Sequence, residues 1–125
     1  MVNTAYALSA YRHHKVAEAT PIELVIMLYD GAIDALDRAV GAISAKQIPV
    51  KLKHIDKTLA IIEELLNALD IEVGGEMAIN LCDLYYYMMR EITLANLSND
   101  REKLRHVASL LRELRESWIV VKGNV

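Results

Sequence analysis

The histidines of this chain are the residues best suited to bind a metal ion, but their spacing does not make a metal site. The chain has four histidines and one cysteine. A di-iron helical bundle needs a glutamate three residues before a histidine on each of two helices. Here Lys51 stands three residues before His54, and Lys103 stands three before His106. We therefore expect no metal and no cofactor.

The other reactive residues do not form a catalytic arrangement either. His13 and His14 are adjacent, so on a helix they point about 100° apart and do not face one ion. Cys82 follows a leucine in a helical pattern and is expected to be a small, at least partly buried side chain. Gly74-Gly75 lacks the preceding strand and the following Gly-Lys-Ser/Thr of a phosphate-binding loop. We expect a binding protein and not an enzyme.

Composition excludes two further classes of protein. Hydrophobic residues make up 54% of the chain and charged residues 25%, which excludes disorder for most of its length. The net charge of −3 is small and of the wrong sign for a general nucleic-acid binder.

Cellular location is predicted from the cysteine content and the N-terminal sequence. A single cysteine cannot form an internal disulfide, which fits a reducing compartment. Residues 1–6 lack the basic flank and apolar run of a signal peptide. Charge-free apolar runs such as Leu24–Tyr29 and Met77–Cys82 are too short to cross a bilayer. The prediction is a cytoplasmic protein without membrane insertion.

Capping signals and apolar spacing predict four long helices. Thr20-Pro21-Ile22-Glu23 has the pattern of a capping box with proline at the first helical position. Pro49 marks a second start, and Val73-Gly74-Gly75 is expected to form a turn before the third helix. Asn99, with Glu102 three residues later, is the expected cap of the fourth helix. The predicted helices span about 20–46, 49–70, 75–97 and 99–121.

Helices of this length with short connections predict an all-α, antiparallel up-down four-helix bundle. Residues 1–125 form a single domain in this prediction, and residues 1–16 form a short N-terminal helical segment that docks on the bundle. The mixed charges between Arg101 and Arg115 indicate a salt-bridged outer face of the fourth helix. Helical spacing predicts three inward-facing sets, which are Leu52, Ile55, Leu59, Ile62, Leu66 and Leu69; Met77, Leu81, Leu84, Met88, Ile92 and Ala95; and Leu104, Val107, Leu111, Leu114, Trp118 and Val121.

Two apolar runs exceed what one core-facing stripe requires. Leu24–Tyr29 and Leu84–Met89 each contain six consecutive apolar residues, which cover every direction around a helix. The N-terminal segment, a second copy of the chain or a partner must cover the outer side. Tyrosine and methionine suit surfaces that are sometimes exposed and sometimes covered. We favour a partner helix in a groove, with Tyr6, Leu8 and Tyr11 as a detachable lid.

At these residues the chain resembles the flagellar secretion chaperones of the FliS family over almost its whole length. That family has an aromatic N-terminal segment, a Ser/Thr-Pro-x-Glu-Leu helix start and a series of further short motifs in fixed order. The matching stretches are Thr20-Pro21-Ile22-Glu23-Leu24, Met27-Leu28-Tyr29-Asp30-Gly31, Gly74-Gly75-Glu76, Asn80-Leu81, Leu84-Tyr85-Tyr86-Tyr87-Met88, Ala95-Asn96-Leu97-Ser98-Asn99-Asp100, and Leu110-Leu111 with Leu114 and Trp118. Each motif is weak alone, but their order and spacing together are specific.

The resemblance implies a bundle that binds the disordered C-terminal region of flagellin in the cytoplasm. Binding would prevent premature polymerisation, and the cargo would then pass to the export gate protein of the flagellar type III apparatus. The N-terminal segment would occupy part of the cargo site when flagellin is absent. The flagellin-binding residues expected for the groove and its cap are Tyr6, Leu8, Tyr11, Ile22, Leu24, Val25, Leu28, Tyr29, Tyr85, Tyr86 and Met89.

Two departures from the family pattern lie among these residues. Leu8 stands where the family usually has a tyrosine, and Tyr86 stands where it often has an aspartate. They put the cargo preference in question and leave the general role intact. The alternative from the residues alone is a self-associating helical-bundle adaptor with no flagellar role. A weak homodimer of the free chaperone also stays open.

Overall fold

A computed structural model of the protein describes residues 18–124, which fold into four α-helices. They are α1 (Pro21–Ser44), α2 (Ile48–Asn67), α3 (Ile71–Ser98) and α4 (Arg101–Gly123). The range 18–124 contains no β-strand. The predicted all-α four-helix bundle is confirmed, whereas the docked N-terminal segment predicted for residues 1–16 lies outside the described range.

The predicted capping box forms at the start of α1. Thr20 Oγ1 accepts a hydrogen bond from the backbone amide of Glu23 at 3.2 Å, and Glu23 Oε1 accepts one from the Thr20 amide at 3.2 Å. Both hydrogen bonds satisfy amides that otherwise lack a partner at a helix start. The Thr20 amide and hydroxyl, followed by the Lys122 charge, lower the pKa of the Glu23 carboxyl.

The helices lie antiparallel in the order α1, α2, α3, α4 around the bundle. α1 packs on α2 and α4, and α3 packs on the same two helices from the opposite corner. Arg101 at the start of α4 donates to Ser44 at the end of α1. Lys122 at the end of α4 pairs with Glu23 at the start of α1 at 3.6 Å. These contacts join opposite helix ends, as an up-down bundle requires.

A stripe of small residues on α1 faces α2 and allows close approach. A methyl group added at Gly31 would lie 3.2 Å from Ile61 Cδ1 of α2. Ala35 and Ala42 follow Gly31 at helical spacing and are buried. The rest of the core consists of larger side chains from all four helices. The fully buried ones are Tyr29, Leu36, Ile55, Thr58, Ile62, Tyr85, Met88, Ile92, Leu104, Val107 and Leu111.

The start of α3 differs from the prediction. The sequence predicts a turn at Val73-Gly74-Gly75, but α3 already begins at Ile71, with the Asp70 carboxylate accepting from the Val73 amide. Gly75 interrupts the helix with φ 55° and ψ −133°. The predicted turn is thus reduced to a kink at one glycine, because Asp70 caps an extra helical turn before it.

The junction between α3 and α4 also differs from the prediction. Asn99 has φ 52° and ends α3, and Asp100 caps α4 by accepting from the Lys103 amide at 3.1 Å. Asparagine tolerates the left-handed conformation well, which suits it to the end of a helix. The predicted asparagine cap of the fourth helix is therefore wrong by one residue.

The seam predicted for α2 is wrong at its first turn. Leu52 is exposed, and its neighbour Lys51 is buried instead. Lys51 Nζ donates to Asn96 O at 3.2 Å and to Asn99 Oδ1 at 2.6 Å. A cation at a helix C-terminus satisfies carbonyl groups and interacts favourably with the helix dipole, which explains why this lysine replaces a leucine in the interior. The inward positions predicted for Met77 and Val121 are also wrong, since both are exposed.

Two glycine-to-alanine substitutions should change stability in opposite directions. We expect Gly75→Ala to lower the free energy of unfolding by about 1–2 kcal/mol, because its positive φ strains an L side chain. Gly41→Ala should raise it by up to about 1 kcal/mol, since Gly41 is helical, exposed and clear of other atoms. Urea denaturation of both variants measures the difference. A stabilising Gly75→Ala would contradict the kink.

Candidate functional site

The two apolar runs meet inside the bundle through a pair of tyrosines. Tyr29 of α1 and Tyr85 of α3 are 0% and 1% exposed, and their hydroxyl oxygens lie 2.5 Å apart. Trp118 of α4 donates from Nε1 to the Tyr29 hydroxyl at 3.1 Å. Three helices are therefore linked by one buried hydrogen-bonded cluster, which we call the aromatic cluster (Tyr29, Tyr85 and Trp118).

This position corrects the expectation that Tyr29 and Tyr85 line a binding groove. Burial, as the main cause, raises the pKa of both phenols, so both stay neutral in the core. A phenol in the interior needs a hydrogen-bond partner, and each tyrosine provides one for the other. This pairing was not predictable from the residue pattern, because a run that is apolar in every direction does not reveal which residue points inward.

The outer residues of the two runs do not line one common groove. α1 and α3 stand at opposite corners of the bundle and share α2 and α4 as neighbours. Ile22 and Leu24 of α1 are half-buried, and Val25 and Leu28 are half-buried against the core. The predicted lid residues Tyr6, Leu8 and Tyr11 lie outside the described residues.

α3 carries the most exposed apolar surface of the predicted site. Tyr86 is 59% exposed, whereas Met89 is half-buried and packs on the core. Leu97, which the sequence analysis did not select, is 79% exposed near the end of the same helix. Helical spacing places Tyr86 and Leu97, which are eleven residues apart, on one side of α3, and Met89 lies beside Tyr86 one helical turn later. This side of α3 is an exposed apolar face.

A second apolar surface lies on the other side of α3, where it meets α4. A groove of about 460 Å³ is lined by Glu76, Met77, Asn80, Leu81, Leu84 and Leu114. We call it the α3–α4 groove. Helical spacing predicted that the four apolar side chains of this groove face the core, but Met77 is 69% exposed. Their helical spacing alone does not distinguish a core position from a groove wall.

Ion pairs between exposed or half-exposed side chains run along the contact between α1 and α4. Arg112 donates to Asp37 at 2.6 Å, and Arg115 pairs with Asp30. The Asp30 carboxylate raises the pKa of the Arg115 guanidinium further. Within α4, Arg105 pairs with Glu102. The predicted salt-bridged face of α4 is confirmed, and its longer-range partners lie on α1.

Within residues 18–124, no cluster of three or more histidine, cysteine or acidic side chains is arranged to hold a metal ion. In the same range, no helix is long and apolar enough to cross a membrane. Exposed apolar faces on helices, such as those of α3, are the kind of surface that other polypeptides bind.

Comparison with known proteins agrees with this description. The family model for the flagellar protein FliS matches residues 2–124. The chain is 39% identical to the flagellar secretion chaperone FliSB of Pseudomonas aeruginosa, over 90% of this chain and 95% of that one. It is 39% identical to the flagellar secretion chaperone FliS of Salmonella typhimurium, over 92% and 89% of the two chains. It is 32% identical to the FliS of Bacillus subtilis, over 88% and 81%. The chain therefore belongs to the FliS family of flagellar proteins.

Proposed function

We propose that this protein is an export chaperone for flagellin and acts in the cytoplasm by binding, without catalysis. It holds the disordered C-terminal region of flagellin, prevents premature polymerisation and delivers the cargo to the gate protein of the flagellar type III export apparatus. Family membership supports the chaperone role.

The exposed apolar surface of α3 is the observation that carries this proposal. Monomeric proteins rarely expose large contiguous apolar patches, and such patches usually bind partners. α3 exposes Tyr86 and Leu97 on one side by more than half of their surface. A disordered tail that folds on this surface would bury on the order of 1,000–3,000 Å².

The binding residues of the proposal follow from exposure. Tyr86 and Met89 on α3 contact the tail directly, together with Ile22, Leu24 and Leu28 on α1. Tyr6, Leu8 and Tyr11 remain the proposed cap. Val25 is half-buried like Leu28 and belongs to the same proposed contacts, whereas the fully buried Tyr29 and Tyr85 act through the packing of the bundle.

Tyr86→Lys should weaken binding of a flagellin C-terminal peptide by more than tenfold, which is roughly 1.4 kcal/mol. A charge at this position replaces an aromatic contact and is desolvated when the tail binds. Tyr86 is exposed, so the bundle should keep its stability. Isothermal titration calorimetry measures the affinity.

Ser109→Lys is the matched control, because Ser109 is exposed on α4 and the substitution adds the same charge. Equal affinities of both variants would remove Tyr86 from the site. A wild-type protein that forms a stable dimer by light scattering and ignores the peptide would support the self-associating adaptor instead.

A further inference from the structure

The α3–α4 groove has the shape of a binding site for a helix. Met77, Leu81 and Leu84 follow one another at intervals of four and three residues, so they form an apolar stripe along α3. Leu114 of α4 completes the lining. An open groove between two helices receives the apolar stripe of a third helix more readily than it encloses a small molecule.

One carboxylate, Glu76, is part of the lining of this groove, and the other charged residues of α3 near it are also acidic. Between Ile71 and Met89, α3 has three carboxylates, Glu72, Glu76 and Asp83, and no basic residue. All three are exposed, and within the part of the chain that the structure describes none of them is in an ion pair. Their negative charge is therefore available to a partner.

The basic residues of α4 do not offset this charge at the groove. Arg112 and Arg115 reach across to carboxylates of α1, and Lys122 pairs with Glu23 at the start of α1. Glu113, next to Leu114, is exposed. These basic side chains are paired with carboxylates of α1. The α3–α4 groove therefore keeps its apolar lining and the negative charge of Glu76.

We propose that the α3–α4 groove docks the apolar face of a basic amphipathic helix of a partner protein. The leucines and Met77 bury apolar side chains of that helix, and Glu76 and the neighbouring carboxylates of α3 attract its lysines or arginines. The inference goes beyond the proposed function, because it assigns a surface and a charge preference that do not depend on flagellin being the partner.

Two model peptides of about 18 residues test the proposal. Both carry leucines at helical spacing, with lysine at the remaining positions of one peptide and glutamate in its twin. Calorimetry on the full chain should show binding of the lysine peptide and at least tenfold weaker binding of the glutamate twin. Equal binding of both peptides would overturn the charge preference.

Matched variants separate the groove from general attraction to an acidic protein. Met77→Ser should weaken binding of the lysine peptide at least tenfold, whereas Leu97→Ser should not, because Leu97 lies outside the groove on the same helix. The two side chains are 69% and 79% exposed. Glu76→Lys should weaken it strongly, whereas Glu63→Lys on α2 makes the same charge change and should have little effect. Equal losses in variant and control would overturn the groove assignment.

Self-association is the remaining outcome. If the free protein dimerises and Met77→Ser abolishes the dimer, then the groove is an interface between copies of this chain, and the proposal is wrong. Peptide and flagellin-tail titrations use different ligands and different variants. Failure of this proposal is therefore distinguishable from failure of the proposed chaperone function.

Discussion

Tyr85→Ala is expected to lower the free energy of unfolding by about 3–5 kcal/mol, the range seen when a buried aromatic side chain is removed. Tyr85 is 1% exposed in the centre of α3, and its loss leaves a cavity beside Tyr29 and Met88. Domains of this size are stable by only about 5–15 kcal/mol, so the variant should be close to unfolding. Urea denaturation followed by circular dichroism measures the loss.

Two tyrosine-to-phenylalanine variants separate the hydrogen bonds of the aromatic cluster from its packing. Tyr29 is the hub, because it pairs with Tyr85 and also accepts from Trp118. Tyr29→Phe leaves the buried Tyr85 hydroxyl and the half-buried Trp118 indole N–H without this partner and should cost about 1–3 kcal/mol. Tyr85→Phe leaves the Trp118 bond intact and should cost less. The reverse order would contradict the geometry described for the cluster.

Ala35→Leu is expected to lower the free energy of unfolding by about 1–3 kcal/mol, because it adds volume to a packed interface. Ala35 is fully buried on the stripe where α1 approaches α2. Three added carbon atoms have no space there and must separate the two helices. Thermal unfolding monitored by circular dichroism gives the size of the effect.

Ala60→Leu is the control for this prediction, since Ala60 is exposed on α2 and receives the same added atoms. Its stability should stay within about 0.5 kcal/mol of the unsubstituted protein. Equal stability of the Ala35 and Ala60 variants would show that the interface between α1 and α2 tolerates extra volume.

Local signals predicted the helices of this protein well. Thr20 and Glu23 form the capping box that their spacing indicates, and the bundle follows from four apolar repeats joined by short connections. The sequence did not show which of two neighbouring residues caps a helix when both residue types are suited to that position. Asn99 and Asp100 can each cap a helix, and only the left-handed conformation of Asn99 assigns it to the end of α3.

The candidate site was less predictable, because side-chain direction depends on tertiary contacts. Tyr85 and Tyr86 are adjacent tyrosines, yet one lies in the core and the other is exposed. Lys51 is buried because the end of α3 supplies its hydrogen-bond acceptors, and nothing near Lys51 in the sequence indicates that contact. Met77 has the spacing of a core residue, but it lies just beyond the Gly75 kink and is exposed at the edge of a groove.

The Trp118–Tyr29 hydrogen bond also gives the protein an intrinsic optical probe. Trp118 is the only tryptophan of the sequence, and it lies one helical turn after Leu114, which lines the α3–α4 groove. Filling the groove would change the polarity around the indole and shift its emission wavelength. Excitation of Tyr29 and Tyr85 would transfer energy to the same indole, so loosening of the core would appear as recovered tyrosine emission. One unlabelled sample could thus report ligand binding and core opening as separate signals.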